Sequence, residues 1–225
     1  MGLRLTAMLC AAVAVCICAP AGAAPFGIRL GNEQLILDTP PGFSDSAGFS
    51  SPRLTDLAES LTEASNRVLV FALADADIRR FSSGDDLELR RYLIAVTPRA
   101  TQRQRLNATE FAALLEDSGR DLAAPPPAST DFARYLQDQP PGQPHVLAVL
   151  RNDARMLSIM RGNMRPLQGA WREKPVLRLN TITLVLIGGR AFYVSAFSAY
   201  DGPADLAWIK TVTERWIEDL ERLNR

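Results

Sequence analysis

A pair of glycines between two apolar runs constrains the fold of this chain more than any other feature of its sequence. The stretch reads TLVLIGGRAFYVSAFSAY, residues 183–200, with Gly188 and Gly189 near its centre. Before the glycines, aliphatic and threonine side chains alternate, which is the period of a β-strand with two distinct faces. A second run containing Phe192 and Val194 follows, and Gly-Gly tolerates the positive φ of a two-residue hairpin turn. The stretch therefore predicts two antiparallel strands joined by a tight turn.

The same glycine pair admits one functional alternative, which is a phosphate-binding loop. Such a loop runs into a helix N-terminus, so that free backbone N–H groups face the anion. Here the glycines run into a second strand, and the sequence has neither the G-x-G-x-x-G pattern nor a Walker lysine. We therefore interpret the pair as a turn.

The chain ends in the clearest amphipathic helix of the sequence, within DGPADLAWIKTVTERWIEDLERLNR, residues 201–225. Its apolar side chains recur at steps of three and four: Leu206, Ile209, Val212, Trp216, Leu220 and Leu223. Oppositely charged pairs at i,i+4 lie on the other side of the helix. Such a stripe predicts a helix that packs along the face of a sheet.

Turn and capping signals divide the rest of the chain into shorter elements. FGIRLGNEQLILD and VLAVLRNDARMLSIMR predict hairpins at their Gly-Asn and Asn-Asp pairs. Helices are predicted after Ser51, with Pro52 at the first helical position, and after Asn107, where Glu110 completes a capping box. VLVFALA and RYLIAVTP predict buried strands, and DADIRRFSSGDDLELR between them predicts a polar loop with room for one helical turn.

Residues 123–144 hold six of the fifteen prolines. We expect a long surface connection there, on which Phe132 and Leu136 dock a short helix. Together the elements predict the α+β class, with a mostly antiparallel β-sheet covered by α-helices and closed by the C-terminal amphipathic helix. We expect residues 24–225 to form a single domain.

The first residues predict export. MGLRLTAMLCAAVAVCICAPAGAAP has an early positive charge, a short apolar run and an A-x-A cleavage site at residues 21–23. We expect a signal peptide over residues 1–23 and a mature chain that is periplasmic or secreted. The apolar run falls short of the ~20 residues of a membrane-spanning helix, so no stable membrane span is expected. An uncleaved anchor is the alternative.

The composition of the mature chain excludes several classes of site. All three cysteines lie in residues 1–23, so residues 24–225 offer no disulfide, zinc-thiolate site or cysteine nucleophile. His145 is the only histidine, which excludes a two-histidine metal site, and we expect it on a surface loop without a catalytic role. Without Arg4 the 25 basic and 25 acidic residues give a formal charge of −1. No net field therefore favours binding of nucleic acid.

Four carboxylates that are close in the sequence form the strongest candidate for a metal site. Asp75, Asp77, Asp85 and Asp86 lie in one segment, and carboxylate oxygens are ligands of Ca²⁺. The spacing fails the EF-hand pattern, because arginines stand where ligands and the glycine belong. A solvated acidic loop is the preferred interpretation, and a metal site is its alternative.

Two further clusters suggest binding without a strong pattern. Met156, Met160 and Met164 are spaced by four, and thioethers bind Cu(I). On a strand such residues lie about 13 Å apart, too far to share an ion, so we interpret them as flexible core side chains. The segments IRRF and LRRY, with Phe81 and Tyr92, offer a small patch for a partner, but charges at strand ends more often face solvent.

The order of the elements resembles the PsbP-like fold. The resemblance rests on ILDTPPGFSD near the start, on TLVLIGGRAFYVSAFSAY and on the terminal helix. It implies an antiparallel sheet covered by helices, and it carries no catalytic residue onto this chain. The chain also resembles exported proteins of proteobacteria.

These observations predict an exported, non-enzymatic accessory or binding module with a protein or small-molecule partner in the periplasm. We predict no catalytic residue and no cofactor. The alternative is a carboxylate-dependent enzyme or metal-binding protein that uses the acidic loop at residues 75–86.

Overall fold

The fold is built around a seven-stranded antiparallel sheet, with a separate two-stranded hairpin beside it. The structure is a computed structural model that describes residues 24–121, 126–128, 131–165 and 176–225. Its strands are β1 (Phe26–Leu30), β2 (Glu33–Leu37), β3 (Phe43–Asp45), β4 (Asn66–Ala74), β5 (Arg91–Pro98), β6 (His145–Asp153), β7 (Met156–Arg165), β8 (Val176–Ile187) and β9 (Arg190–Ala199). Its helices are α1 (Pro52–Ser60), α2 (Asp75–Ser82), α3 (Ala108–Asp121), α4 (Phe132–Gln137) and α5 (Pro203–Leu223). The predicted α+β class and the predicted C-terminal helix are confirmed.

The strand order of the main sheet is β3-β4-β5-β9-β8-β7-β6, and every neighbouring pair is antiparallel. Strands β6 to β9 follow one another as a meander. The pairing of β5 with β9 then joins this meander to the three strands that precede it in the chain.

The Gly-Gly hairpin forms as the alternation predicts. Strands β8 and β9 pair antiparallel on either side of the turn. Gly188 and Gly189 have φ values of 58° and 76°, which glycine adopts without a Cβ clash. A Cβ on Gly189 would also lie 2.9 Å from Cγ of Arg105. This turn is therefore a structural device, as interpreted from the sequence.

One face of the sheet is covered by α5 and by the β1–β2 hairpin, and the largest apolar core lies between these layers. Trp216 of α5 is 1% exposed, and its indole Nε1 donates to the carbonyl of Asp38 at 2.7 Å. Asn224, at the end of the helix, accepts from the backbone N–H of Ile36 at 2.8 Å and donates to its carbonyl at 2.7 Å. These contacts fix the hairpin to α5.

Two buried threonines connect α5 to the sheet through a chain of hydrogen bonds. Thr181 of β8 and Thr213 of α5 place their Oγ1 atoms 2.8 Å apart. The backbone N–H of Ala196 donates to Thr181 Oγ1 at 3.1 Å, and Thr213 Oγ1 donates to the carbonyl of Ile209 at 2.7 Å. Because an N–H only donates and a carbonyl only accepts, the direction of the chain is set: Thr181 donates to Thr213.

The second face of the sheet is covered at its two sides but not at its centre. Helices α1 and α2 pack over β4 and β5, where Leu54 and Ile78 are among the buried residues. Helix α3 contributes Leu115 to a smaller cluster with residues of β6 and β7. Between these helices, β5, β9 and β8 carry side chains that no helix covers along part of their length.

The segment at residues 75–90 departs from the prediction of a polar loop. Its first half forms the eight-residue helix α2. Asp75 and Asp77 lie in the first turn and Arg79 and Arg80 in the last, which matches the sign of the helix dipole at each end. Ile78 is buried against the sheet, so the helix also has an apolar anchor.

Other local predictions hold with small shifts. The hairpin in residues 145–165 turns at Ala154 and Arg155, so the Asn-Asp pair before them belongs to β6. The capping box of α3 forms in both directions, since Asn107 Oδ1 accepts from Glu110 N at 2.9 Å and Glu110 Oε2 accepts from Asn107 N at 2.8 Å. Helix α4 forms within the proline-rich connection, and Leu136 is buried.

The predicted signal peptide at residues 1–23 lies outside the described residues, as do residues 122–125 and 129–130 of the connection. In the described part of the chain, no helix combines the length and the apolar content that crossing a bilayer requires.

Candidate functional site

The four aspartates of the predicted acidic loop have separate environments. Asp75 accepts a hydrogen bond from Ser44 Oγ at 2.8 Å. Asp77 is 6% exposed and accepts from the backbone N–H of Glu88 at 3.3 Å. Asp85 and Asp86 follow α2 on the exposed surface. Within the described residues no three His, Cys, Asp or Glu side chains are grouped in a way that would hold a metal ion.

The predicted patch of arginines forms a network of ion pairs around a small cleft of about 230 Å³. The pairs are Arg80–Glu88, Arg90–Asp201 and Arg91–Asp205. The Arg91 guanidinium also lies 4.3 Å from the ring centroid of Trp208. The guanidinium groups of these three arginines are therefore ion-paired with carboxylates of the same chain.

Electrostatics within this cleft favour the charged form of Asp205. Burial acts to raise its pKa, but hydrogen bonds from Arg91 and from the backbone N–H of Asp201 outweigh burial and hold the pKa below the ordinary 3.8. The two aromatic members of the predicted patch differ: Phe81 is half-buried, with the Arg53 guanidinium 5.5 Å from its ring centroid, and Tyr92 does not lie on the surface. Tyr92 is buried and stacks on Phe197 at 4.5 Å between ring centroids.

His145 and the methionines lie on the other face of the sheet. His145 begins β6 instead of lying on a surface loop, and its ring is 6.3 Å from that of Tyr135 in an edge arrangement. Met156 and Met160 are 0% and 5% exposed within the main apolar core. The interpretation as core side chains is confirmed for Met156 and Met160, and Met164 is partly buried against the same core.

The uncovered centre of the second face forms an open groove along β9. Its floor is made by side chains that neighbour one another across β5, β9 and β8: Ile94, Val96, Ile182, Leu184, Ala191, Tyr193, Ser195 and Phe197. We call this the β9 groove. Residues 60–66 form one wall and α3 forms the other. In the gap between the helices, Tyr193 and Phe197 are half-buried, whereas Ile94, Val96 and Leu184 beside them are buried.

The β9 groove has two chambers. The larger chamber, of about 610 Å³, lies over Phe197, Ser195 and Ile182. The smaller chamber, of about 340 Å³, lies over Leu184 and Ala191. The larger is in the range of small-molecule sites, which are concave and mostly apolar, with a few polar groups that fix orientation.

Ser195 places a hydroxyl in the floor of the groove. The residue is 8% exposed and lines the larger chamber, and its Oγ forms no hydrogen bond with a described residue but is open to the chamber, since the fully buried unpaired side-chain atoms are His145 Nε2, Arg161 Nε and Arg190 Nε. By contrast, the buried Ser158 on the other face is paired with Thr183 at 2.8 Å. A hydroxyl that faces an open groove bonds to water when the groove is empty, and a polar atom of a ligand can take the place of that water.

The charged residues that line the two chambers are all acidic. Glu63 lies on the rim of the larger chamber, and Glu110 and Asp117 lie on that of the smaller one. Asp117 pairs with Arg120, and Glu110 caps α3. The Glu63 carboxylate accepts from Ser65 Oγ at 3.3 Å and forms no ion pair with a described residue. The rim therefore favours neutral or cationic groups over anions.

Searches of protein-family models, curated proteins and solved structures found no match to this chain. The resemblance to the PsbP-like fold therefore stays a prediction.

Proposed function

We propose that this protein is an exported, non-enzymatic binding module that holds a small amphipathic molecule in the β9 groove. The observation that carries the proposal is the concave, mostly apolar floor of the groove, in which Ser195 supplies one polar group that faces the larger chamber. Export is supported by the sequence of residues 1–23.

The floor of the groove supports a ligand with an apolar body. Burial of one methylene group contributes about 0.8 kcal/mol, so a chain that fills the larger chamber gains most of its affinity there. The rings of Tyr193 and Phe197 are half-buried in the floor, and such rings attract both apolar groups and cations. Ser195 Oγ then donates to, or accepts from, one polar atom of the ligand.

The rim supports a neutral or cationic head group. Two unit charges at about 4 Å interact with about 4 kcal/mol at an effective dielectric constant of 20, and more weakly when water separates them. An anionic head group near Glu63 therefore loses affinity relative to a cationic one. A difference of about tenfold corresponds to about 1.4 kcal/mol.

The groove lining also supports a role without catalysis. Its hydroxyls have no histidine, cysteine or lysine beside them among the described residues that line the chambers. A serine without an adjacent base is a weak nucleophile. We therefore assign Ser195 a recognition role.

The test uses residues 24–225 and three ligands with the same alkyl chain: decanol, decyltrimethylammonium and decanoate. Isothermal titration calorimetry below the micelle concentration should give binding of the alcohol and the ammonium compound. Decanoate should bind about tenfold more weakly, because its carboxylate meets the acidic rim. If the wild-type protein binds none of the three, the proposal is wrong.

A blocking variant makes the test specific to the groove. Ser195→Leu places a larger side chain in the larger chamber and should abolish binding, and circular dichroism checks that the variant is folded. Ser83→Leu adds the same side chain at an exposed position after α2 and should bind like the wild type. Equal binding by both variants would locate the ligand elsewhere and refute the proposal.

A further inference from the structure

The floor of the β9 groove has a definite long axis. Ala191, Tyr193, Ser195 and Phe197 are alternate residues of β9 and lie on the same face of the sheet. Alternate residues of a strand are about 6.6 Å apart, so these four side chains form a line of about 20 Å. A ligand that follows the groove therefore runs parallel to β9.

Tyr193 lies where the two chambers meet. It pairs with Val96 of β5 on one side and with Leu184 of β8 on the other. Val96 lines only the larger chamber and Leu184 only the smaller, whereas Tyr193 lines both. Pro98, at the end of β5, is the one other residue that lines both chambers.

Apolar packing, and not a hydrogen bond, holds the Tyr193 ring in place. Its hydroxyl makes no hydrogen bond with any described residue, and the residue is half-buried. On its face of β9, Tyr193 is flanked by Ala191 and Ser195, which have much smaller side chains. Tyr193 is therefore the largest side chain of β9 at the boundary between the two chambers.

We infer that Tyr193 sets the length of the ligand, because an apolar chain that lies over Ser195 and Phe197 ends against its ring. The inference rests on the proposed function of the β9 groove. In the wild-type protein the larger chamber takes the ligand chain and the smaller chamber stays outside its reach. Removing the ring joins the chambers and admits a longer chain.

The test measures the affinity of alkyltrimethylammonium probes, from butyl to hexadecyl, by calorimetry below their micelle concentrations. For the wild type, affinity should rise about fourfold per methylene while the chain fills the larger chamber, and then level off. Tyr193→Phe keeps the ring and should level off at the same chain length. Tyr193→Ala should level off at a longer chain, with the same slope before that point.

Tyr193→Leu is the second variant, since it keeps apolar packing in the sheet if the alanine variant unfolds. It should also extend the chain length at which affinity levels off. An unchanged limit in a folded alanine or leucine variant would overturn the role of Tyr193 and leave the proposed function intact. If the wild type binds no probe of any length, the groove is not a binding site and both proposals fail together.

Discussion

The chain of hydrogen bonds from Ala196 through Thr181 and Thr213 to Ile209 allows a quantitative prediction about stability. Thr181 and Thr213 are 0% and 1% exposed, so water does not replace a lost partner. Replacing Thr181 by valine keeps the shape and removes the only side-chain acceptor that the Ala196 N–H uses. The buried Ala196 amide then loses this acceptor.

The magnitude follows from which groups lose their partners. An unsatisfied buried donor costs about 1–3 kcal/mol, and the added methyl group recovers up to about 0.8 kcal/mol. We expect Thr181→Val to lower the free energy of unfolding by about 2 kcal/mol, which is a loss of about 4–8 °C in Tm for a domain of this size. Thr213→Val should cost only about 1 kcal/mol, because the Ile209 carbonyl keeps its helical N–H donor.

Urea unfolding followed by circular dichroism measures both variants and the double variant. The double variant should cost about 2 kcal/mol, less than the sum of the single changes, because the two hydroxyls belong to one chain. Thr211→Val is the matched control, since it makes the same change on the exposed side of α5 and should stay within about 0.5 kcal/mol. The reasoning fails if Thr181→Val costs no more than this control, or if the single changes are additive.

Three further changes test polar contacts elsewhere. The pKa of Asp205 lies below its ordinary value because of Arg91, so the wild type should lose stability as pH falls through the folded-state pKa, and Asp205→Asn should reduce this loss in urea titrations at acid pH. Burial raises the pKa of Asp45, so its folded-state penalty grows as pH rises above 3.8, and Asp45→Asn should gain stability relative to the wild type over that interval; a constant difference would contradict this. Asn224→Ala removes two hydrogen bonds to Ile36 and should cost about 1–2 kcal/mol in thermal unfolding.

The periods of the strands and of the last helix were predictable because they depend on neighbours in the sequence. The assignment of each strand face was harder. The alternation in β8 suggests that Ile182 and Leu184 face the main core, yet Thr181 and Thr183 are the residues at 0% exposure under α5. Their hydroxyls are paired with Thr213 and Ser158, so the penalty for burying them is small. The sequence does not reveal these pairs, because their members are distant along the chain and meet only in the folded structure.

The acidic segment shows where prediction from spacing in the sequence failed. Asp75, Asp77, Asp85 and Asp86 are close in the sequence, which suggested a shared site. Asp75 and Asp77 lie in the first turn of α2 and Asp85 and Asp86 lie after its end, and the buried Ile78 anchors this helix on the sheet. Nearness along the chain therefore gave no guide to nearness of the carboxylates.

The β9 groove was beyond prediction from the sequence because it depends on what does not cover the sheet. Its floor joins Val96 to Tyr193 across a pairing of strands that are distant in the chain. Its walls are set by how far α1 and α3 extend over the sheet. The one local signal was that β9 has apolar or aromatic residues on both faces, including Phe192 and Tyr193 in succession, which is typical of a strand with more than one contact surface.

The pairing of β5 with β9 has a consequence for the order of folding. The meander of β6 to β9 and the earlier strands β3 to β5 each pair close neighbours in the chain, whereas Val96 and Tyr193 meet across nearly a hundred residues. Closing so long a loop is entropically costly, so we expect the two halves to form first and to dock late. In stopped-flow refolding with a probe whose signal reports binding, the probe should therefore bind in the slowest folding phase. The protein would then bind a ligand only after the two halves have joined. The bound ligand would in turn oppose the separation of the two halves.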